Sequence, residues 1–382
     1  MKNLFYLLLI PLIFSCNSEP SEKAESVNIL ENLTFTVDTV LVDSGDDIFI
    51  LSSGLGAKAL DQDENELLFF ENEPLNLVEV DLNDLKLVRK TPFQKEGPNG
   101  VGGPYRVRFQ LGPEGDLFIS GNNTQGIFNT SGEMVESLQV VPEGIDPELA
   151  NNLHLLYNNP VFDFENSRIY SQPSSEETGK HLLFIIDPIT KEFRMESIPE
   201  MKAVKEFTGT LVVDGMINFF WVDSHMYIEN RQLLLTVGSM SAIYRLDLMT
   251  DSLKFVDIQH QNFPNRMAFS VNNSPVDEAA FNEDRKKVFE HLNYMEPRWD
   301  ETREMFLRLG RKTFTGEKPG DPSTYTYEVF LFAYDQDFNV LGETKIEGLS
   351  QVPANYFWKD GQLWSYVNIE DELGFAVIDF TF

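Results

Sequence analysis

Cysteine is almost absent: Cys16 is the only one among 382 residues. One thiol cannot close an internal disulfide, so a disulfide-stapled fold is excluded. Histidine is sparse. His154, His181, His225, His260 and His291 show no metal-ligand spacing such as His-Glu-x-x-His; each is expected to be a surface or packing residue, and no metal or cofactor is expected. Basic charge is scarce, with 30 Lys and Arg against 61 Asp and Glu, a formal net charge of −31. Such a surface repels phosphate backbones, which excludes nucleic acid as a partner, and it disfavours adsorption to anionic headgroups. Neither a Gly-x-Ser-x-Gly nucleophile elbow nor a phosphate-binding Gly-x-x-x-x-Gly-Lys-Ser/Thr loop occurs.

What is present begins at the N-terminus. Met-Lys-Asn precedes an apolar run from Leu4 to Phe14, too short for the about 20 residues a membrane-spanning helix needs. It has the form of an export signal. Ile13-Phe14-Ser15-Cys16 resembles a bacterial lipobox, which implies cleavage after Ser15, lipidation of Cys16 and anchoring by buried methylenes. Asn17 to Val27 is polar and acidic, too poor in apolar surface to fold. Residues 1–15 are therefore expected to be a signal peptide, 16–30 a lipidated tether, and 31–382 one domain.

That domain carries a repeat. An apolar residue followed by Asp or Asn recurs at Asp81, Asn129, Asp187, Asp247, Asp335 and Asp379. Six positions later an apolar residue returns: Leu87, Val135, Phe193, Leu253 and Leu341. Turn formers lie between, so each copy predicts strand, tight turn, strand, with the Asp/Asn side chain bonding the turn backbone. Further strand pairs precede these hairpins: Tyr105 to Gln110 with Gly115 to Ser120, Val161 to Phe164 with Arg168 to Ser171, and Tyr356 to Lys359 with Gln362 to Val367. Four strands repeated six times predict an all-β fold, a six-bladed β-propeller. The sixth copy has only three residues after Asp379, too few for its outer strand. Leu33-Thr-Phe35-Thr-Val37 alternates apolar and polar with no nearby partner, and is expected to complete the last blade and remove its open edge.

The spacing is uneven, with 88 residues between Asp247 and Asp335. The excess predicts a helix with Ser274 as N-cap, Pro275 at N1 and Asp277 at N3. A second short helix is expected at Asp146-Pro147-Glu148. Gly97-Pro-Asn-Gly-Val-Gly-Gly103 does not open a helix and is expected to be a tight connection between blades one and two. Asp61-Gln-Asp63 resembles the start of a calcium loop, but Glu66 stands where glycine is required, so a hairpin turn is expected. Charged and aromatic residues cluster where blades begin, and the candidate channel or ligand-binding residues are Arg106, Arg108, Arg298, Trp299, Asp300, Tyr356 and Trp358. Arg can engage carboxylate or phosphate and Trp or Tyr can stack on a sugar, but packing between blades with Arg salt bridges is the role expected of them first.

The lipobox at Cys16, the Glu96-Gly-Pro-Asn-Gly-Val-Gly102 connection and the Asp-turn hairpins together resemble the six-bladed-propeller lipoproteins of Bacteroidetes, including an uncharacterised domain-of-unknown-function family. The resemblance implies the fold and an exported, outer-membrane-anchored location, periplasmic or surface-facing. It transfers no catalytic residue. The expected role is a monomeric binding or scaffold protein of the cell envelope, with a glycan, peptide or envelope protein as partner. The alternative is a hydrolase or lyase acting on a sugar or lactone at the central channel.

Overall fold

The computed structural model describes residues 28–51, 54–102, 107–121, 124–139, 160–172, 181–316 and 321–382. Six antiparallel sheets of four strands form a propeller ring. The inner strands of blades 1 to 6 are Lys58–Leu60, Arg108–Leu111, Val161–Asp163, Ser224–Glu229, Asn293–Asp300 and Phe357–Lys359. Each blade is built outward from its inner strand. The ring therefore has a crossover end, where an outer strand connects to the next inner strand, and a turn end, which carries the turns of each blade's inner and outer hairpins.

The repeated Asp/Asn makes those turns. Asp81 accepts the backbone N–H of Asn83 and Asp84, both at 2.8 Å. Asn129, Asp187, Asp247 and Asp335 do the same for the residues that follow them, at 2.8–3.1 Å. A carboxylate that accepts two N–H groups is stabilised in its charged form, and Asp187 and Asp247 are held below the usual carboxylate range through Thr190 and Thr250. The inner hairpins use the same device at Asp61, Asp163 and Asp300. Asp61 is thus a turn residue, accepting Asn65 N–H at 2.6 Å and Glu66 N–H at 2.7 Å.

Blade 6 closes as the missing strand required. Thr34–Leu41 pairs antiparallel with Glu372–Thr381, from Thr34↔Thr381 to Leu41↔Gly374. The chain therefore enters the fold at the turn end. Residues ahead of the expected domain boundary at 31 are packed into the fold: Leu30 is fully buried, and Asn28 both donates to and accepts from the Glu343 backbone at 3.0 Å. These contacts tie the entering chain to blade 5 as well as to blade 6.

The Gly-rich connection is tight. Gly97 has φ +95°, and a Cβ on Gly100 would lie 2.6 Å from the Glu96 backbone, so glycine is required there. Two features depart from expectation. The helix, α1, spans Glu278–Glu290 and its N-cap is Asp277, whose carboxylate accepts Ala280 N–H at 2.9 Å. It begins a turn later than a Ser274 cap implies, because Asp277 has the extended backbone and the acceptor reach that a cap needs. An additional hairpin, Gly209–Val213 with Met216–Phe220, stands between blades 3 and 4 as a separate two-stranded sheet. Both insertions join an outer strand to the next inner strand, so both lie at the crossover end. The expected helix at Asp146 lies outside the described residues.

Candidate functional site

Proline in a strand sets up the site. The inner strand of blade 5 contains Pro297, which cannot donate to its neighbour, and its register with Met305–Phe314 shifts between Tyr294 and Pro297. A bulge of this kind leaves backbone groups unpaired and re-aims side chains. Three successive carbonyls are then taken by side chains. Arg308 donates to Met295 O at 2.5 Å, Tyr356 to Glu296 O at 3.4 Å, and Tyr227 to Pro297 O. Tyr227 belongs to blade 4 and Tyr356 stands at the start of blade 6, so the bulge is gripped from both sides.

The bulge turns Glu296 toward the ring axis, where it meets residues from other blades. Arg298 lies 3.6 Å from Glu296 and donates to Glu229 of blade 4 at 3.0 Å. Its guanidinium sits 4.4 Å from the Tyr227 ring centroid, a cation–π distance. His225 Nε2 is 3.5 Å from the other Glu296 oxygen. These side chains sit on inner strands, yet His225, Glu229, Glu296 and Arg298 keep 15–36% of their exposure. They face a solvent-accessible lumen.

Lys58 reaches the same lumen from blade 1. Its ammonium has no hydrogen bond or ion pair among the described residues. Burial and the nearby Arg298 charge push its ammonium down to about 8, against the opposing pull of Glu296. Burial raises Glu229 above the usual carboxylate range despite Arg298. Burial acts on Glu296 too, but His225 and Arg298 outweigh it and hold that carboxylate low. Burial and then Glu229 push Glu64, in the blade 1 turn, up to about 7. The lumen thus brings cationic donors and carboxylate acceptors from three blades together, partly exposed to solvent. Among the described residues no cluster of three His, Cys, Asp or Glu could hold a metal ion.

The sequence candidates divide. Arg298 and Tyr356 meet at the bulge. Trp299 and Trp358 are buried, at 7% and 3% exposure, in hydrophobic clusters between blades. Trp299 packs edge-on against Phe306 and Trp358 lies 6.0 Å from Phe380. Neither indole is free to stack on a ligand, because alternate strand residues fill the space between blades. Asp300 is buried as a turn residue, bonded to Thr302 and Arg303 N–H and paired with the Arg303 guanidinium at 2.6 Å. Arg108 is exposed on the inner strand of blade 2 and makes no ion pair among the described residues. Arg106 lies outside the described residues. Sequence reasoning missed Lys58, Tyr227, Glu229 and Glu296, and assigned His225 to surface or packing. The available signal was Pro297 inside a strand pattern, flanked by Glu296 and Arg298.

Comparisons agree with this architecture. A Bacteroides vulgatus member of the DUF4221 family, known from its crystal structure, is 14% identical, with a TM-score of 0.62 over 91% of this chain and 98% of that one. A Bacteroides fragilis structure assigned as an exported protein is 11% identical, with a TM-score of 0.54 over 91% and 96%. At such identities the likeness shows the fold. No curated protein matches the sequence. The sequence profile of the domain of unknown function DUF4221 matches residues 26–345, from the entry of the chain into the fold to the outer strand of blade 5, and the chain belongs to that family.

Proposed function

We propose that the chain is an exported binding protein of the cell envelope, anchored to the outer membrane through lipid on Cys16, whose lumen receives a small polyhydroxylated ligand such as a saccharide. One observation carries this reading: four charged or ionisable side chains from blades 4 and 5 stay solvent-accessible at the ring axis, beside a blade 1 lysine whose ammonium has no partner among the described residues. Hydroxyl groups can donate to Glu229 and Glu296 and accept from Lys58 and Arg298. Anchoring is supported by the lipobox-like Ile13-Phe14-Ser15-Cys16 and by the acidic segment from Asn17 to Val27. Because the chain enters the fold at the turn end, the lipid holds the ring-closing blade and the crossover insertions face away from the anchor.

Two measurements test the proposal. Incorporation of labelled fatty acid is expected in the full chain and absent in Cys16→Ser; equal labelling refutes the anchor. A glycan and metabolite screen on the Cys16→Ser chain is expected to yield a ligand whose binding Arg298→Ala removes and Trp358→Phe preserves. A ligand indifferent to Arg298 places the site elsewhere.

A further inference from the structure

The hairpin between blades 3 and 4 presents an apolar face to solvent. Thr210 pairs with Phe219 and Val212 with Ile217, and residues opposite each other on paired strands share a face. Trp221 extends that face just past the strand, its ring centroid 4.9 Å from that of Phe219. Val212, Ile217, Phe219 and Trp221 are each more than half exposed. The other face is fixed. Leu211 and Phe220 are buried in one hydrophobic cluster with Phe281 of α1, and the Phe220 and Phe281 ring centroids are 5.3 Å apart. Thr210 N–H also bonds the Asn273 carbonyl at 3.0 Å. The hairpin cannot roll its apolar face inward without giving up that packing.

At these exposures the four side chains present about 450 Å² of surface, and Thr210 and Met216 at the margins bring it to about 600 Å². Patches of that size on a monomer are often functional. Two copies joined here would bury about 1,200 Å², where the range of specific interfaces begins. No side chain of the face is charged. A chain of net charge −31 repels its own copies over most of its surface, so an uncharged stripe is the place where two can meet. An apolar stripe is also complementary to itself, as a two-fold interface must be.

We propose that this hairpin face is the interface of a two-fold homodimer, in which Val212, Ile217, Phe219 and Trp221 of one copy pack on the same stripe of a second copy.

The test uses the full chain kept unlipidated by Cys16→Ser, followed by sedimentation velocity. A monomer–dimer equilibrium is expected, moving toward dimer as salt rises, because salt screens the repulsion between like-charged copies. Phe219→Glu should weaken the dimer at least about tenfold, since it sets two like charges against each other in an apolar contact. Val135→Glu, at a comparably exposed site on the outer strand of blade 2, should leave it unchanged. The Cys16→Ser chain holds no thiol, so Ile217→Cys adds a single one, and oxidation should then yield a covalent dimer that Val135→Cys does not form. A chain that stays monomeric at every concentration overturns the proposal, as does a dimer that Phe219→Glu leaves intact. Binding of the monomer to phosphatidylcholine vesicles, abolished by Phe219→Glu, would give the face to a membrane and overturn it as well. Should Phe219→Glu fail to fold, the crosslinks at Ile217→Cys and Val135→Cys decide between these outcomes.

Discussion

Blade 5 carries an ionised cluster at each edge, and the two differ in what they leave unsatisfied. At the outer edge Glu343 is 4% exposed in its side chain and fully engaged. One oxygen lies 2.7 Å from His260 Nδ1, and the other accepts Gln261 and Asn262 N–H at 3.0 and 2.7 Å. His260 Nε2 lies 3.1 Å from the Tyr334 hydroxyl. At the inner edge Glu296 and Arg298 are paired but keep 15% and 34% of their side-chain exposure, and the Lys58 ammonium beside them has no partner among the described residues. Buried ions that are completely paired hold structure. Ions that keep water and spare hydrogen-bonding capacity remain open to a ligand. The outer cluster ties residues 260–262 to the outer strand of blade 5, and the inner one lines the lumen.

The largest effect that tests this contrast is expected from Glu343→Ala. It leaves His260 and two N–H groups without their acceptor and should cost about 3–5 kcal/mol of unfolding free energy, measured by urea denaturation. Burial raises the Glu343 carboxyl, but His260 and the Asn262 and Gln261 N–H groups outweigh it and hold it below its ordinary value. Its contribution is present above the ordinary carboxylate pKa and is lost as pH falls through the lowered one, so the deficit of the variant should shrink in acid. A deficit unchanged by acid would sever the cluster from ionisation.

Asn28→Ala comes next, with a loss of about 1–3 kcal/mol as the Glu343 backbone loses both bonds. Hydrogen exchange should then accelerate first in Thr34–Leu41. Uniform acceleration around the ring would argue against local stitching. Arg298→Met should cost less, about 1 kcal/mol, because water reaches Glu229 and Glu296 when their partner leaves. A loss as large as that of Glu343→Ala would erase the distinction between the edges.

The smallest effect has the opposite sign. The folded Lys58 pKa, about 8, lies below the ordinary lysine value of 10.5. Between those values the unfolded chain binds more protons, so stability of the wild-type protein rises with pH there. Lys58→Met should therefore raise the melting temperature slightly at pH 7, and the gain should fade as pH climbs through 8 toward 10.5. A gain constant across that range would mean the amine is not held unfavourably charged in the lumen.

The fold was legible because propeller blades are local. Each Asp or Asn turn bonds residues two to four positions away, as at Asp187 with Ile189 and Thr190, so hairpins declare themselves in short windows. The ring closure was legible by subtraction, since Asp379 lacked a following strand and Leu33 to Val37 lacked a partner. The hairpin Gly209–Phe220 was not. Its alternating apolar residues look like any blade strand, although Val212, Ile217, Phe219 and Trp221 are 51–64% exposed.

The sequence by itself determined the chemistry at each turn, the number of blades and the need for an N-terminal strand in the last one, because these rest on hydrogen bonds and alternation between near neighbours. Only the tertiary structure decided which side chains share the axis. Lys58, Glu229, Glu296 and Arg298 come from three blades and are as much as 240 residues apart, between Lys58 and Arg298. Their meeting depends on ring closure and on the bulge before Pro297, and no short window of sequence encodes either. The same geometry sent Trp299 and Trp358 into the spaces between blades. In a strand, neighbouring residues point to opposite faces, so one position separates a side chain of the lumen from one of the core.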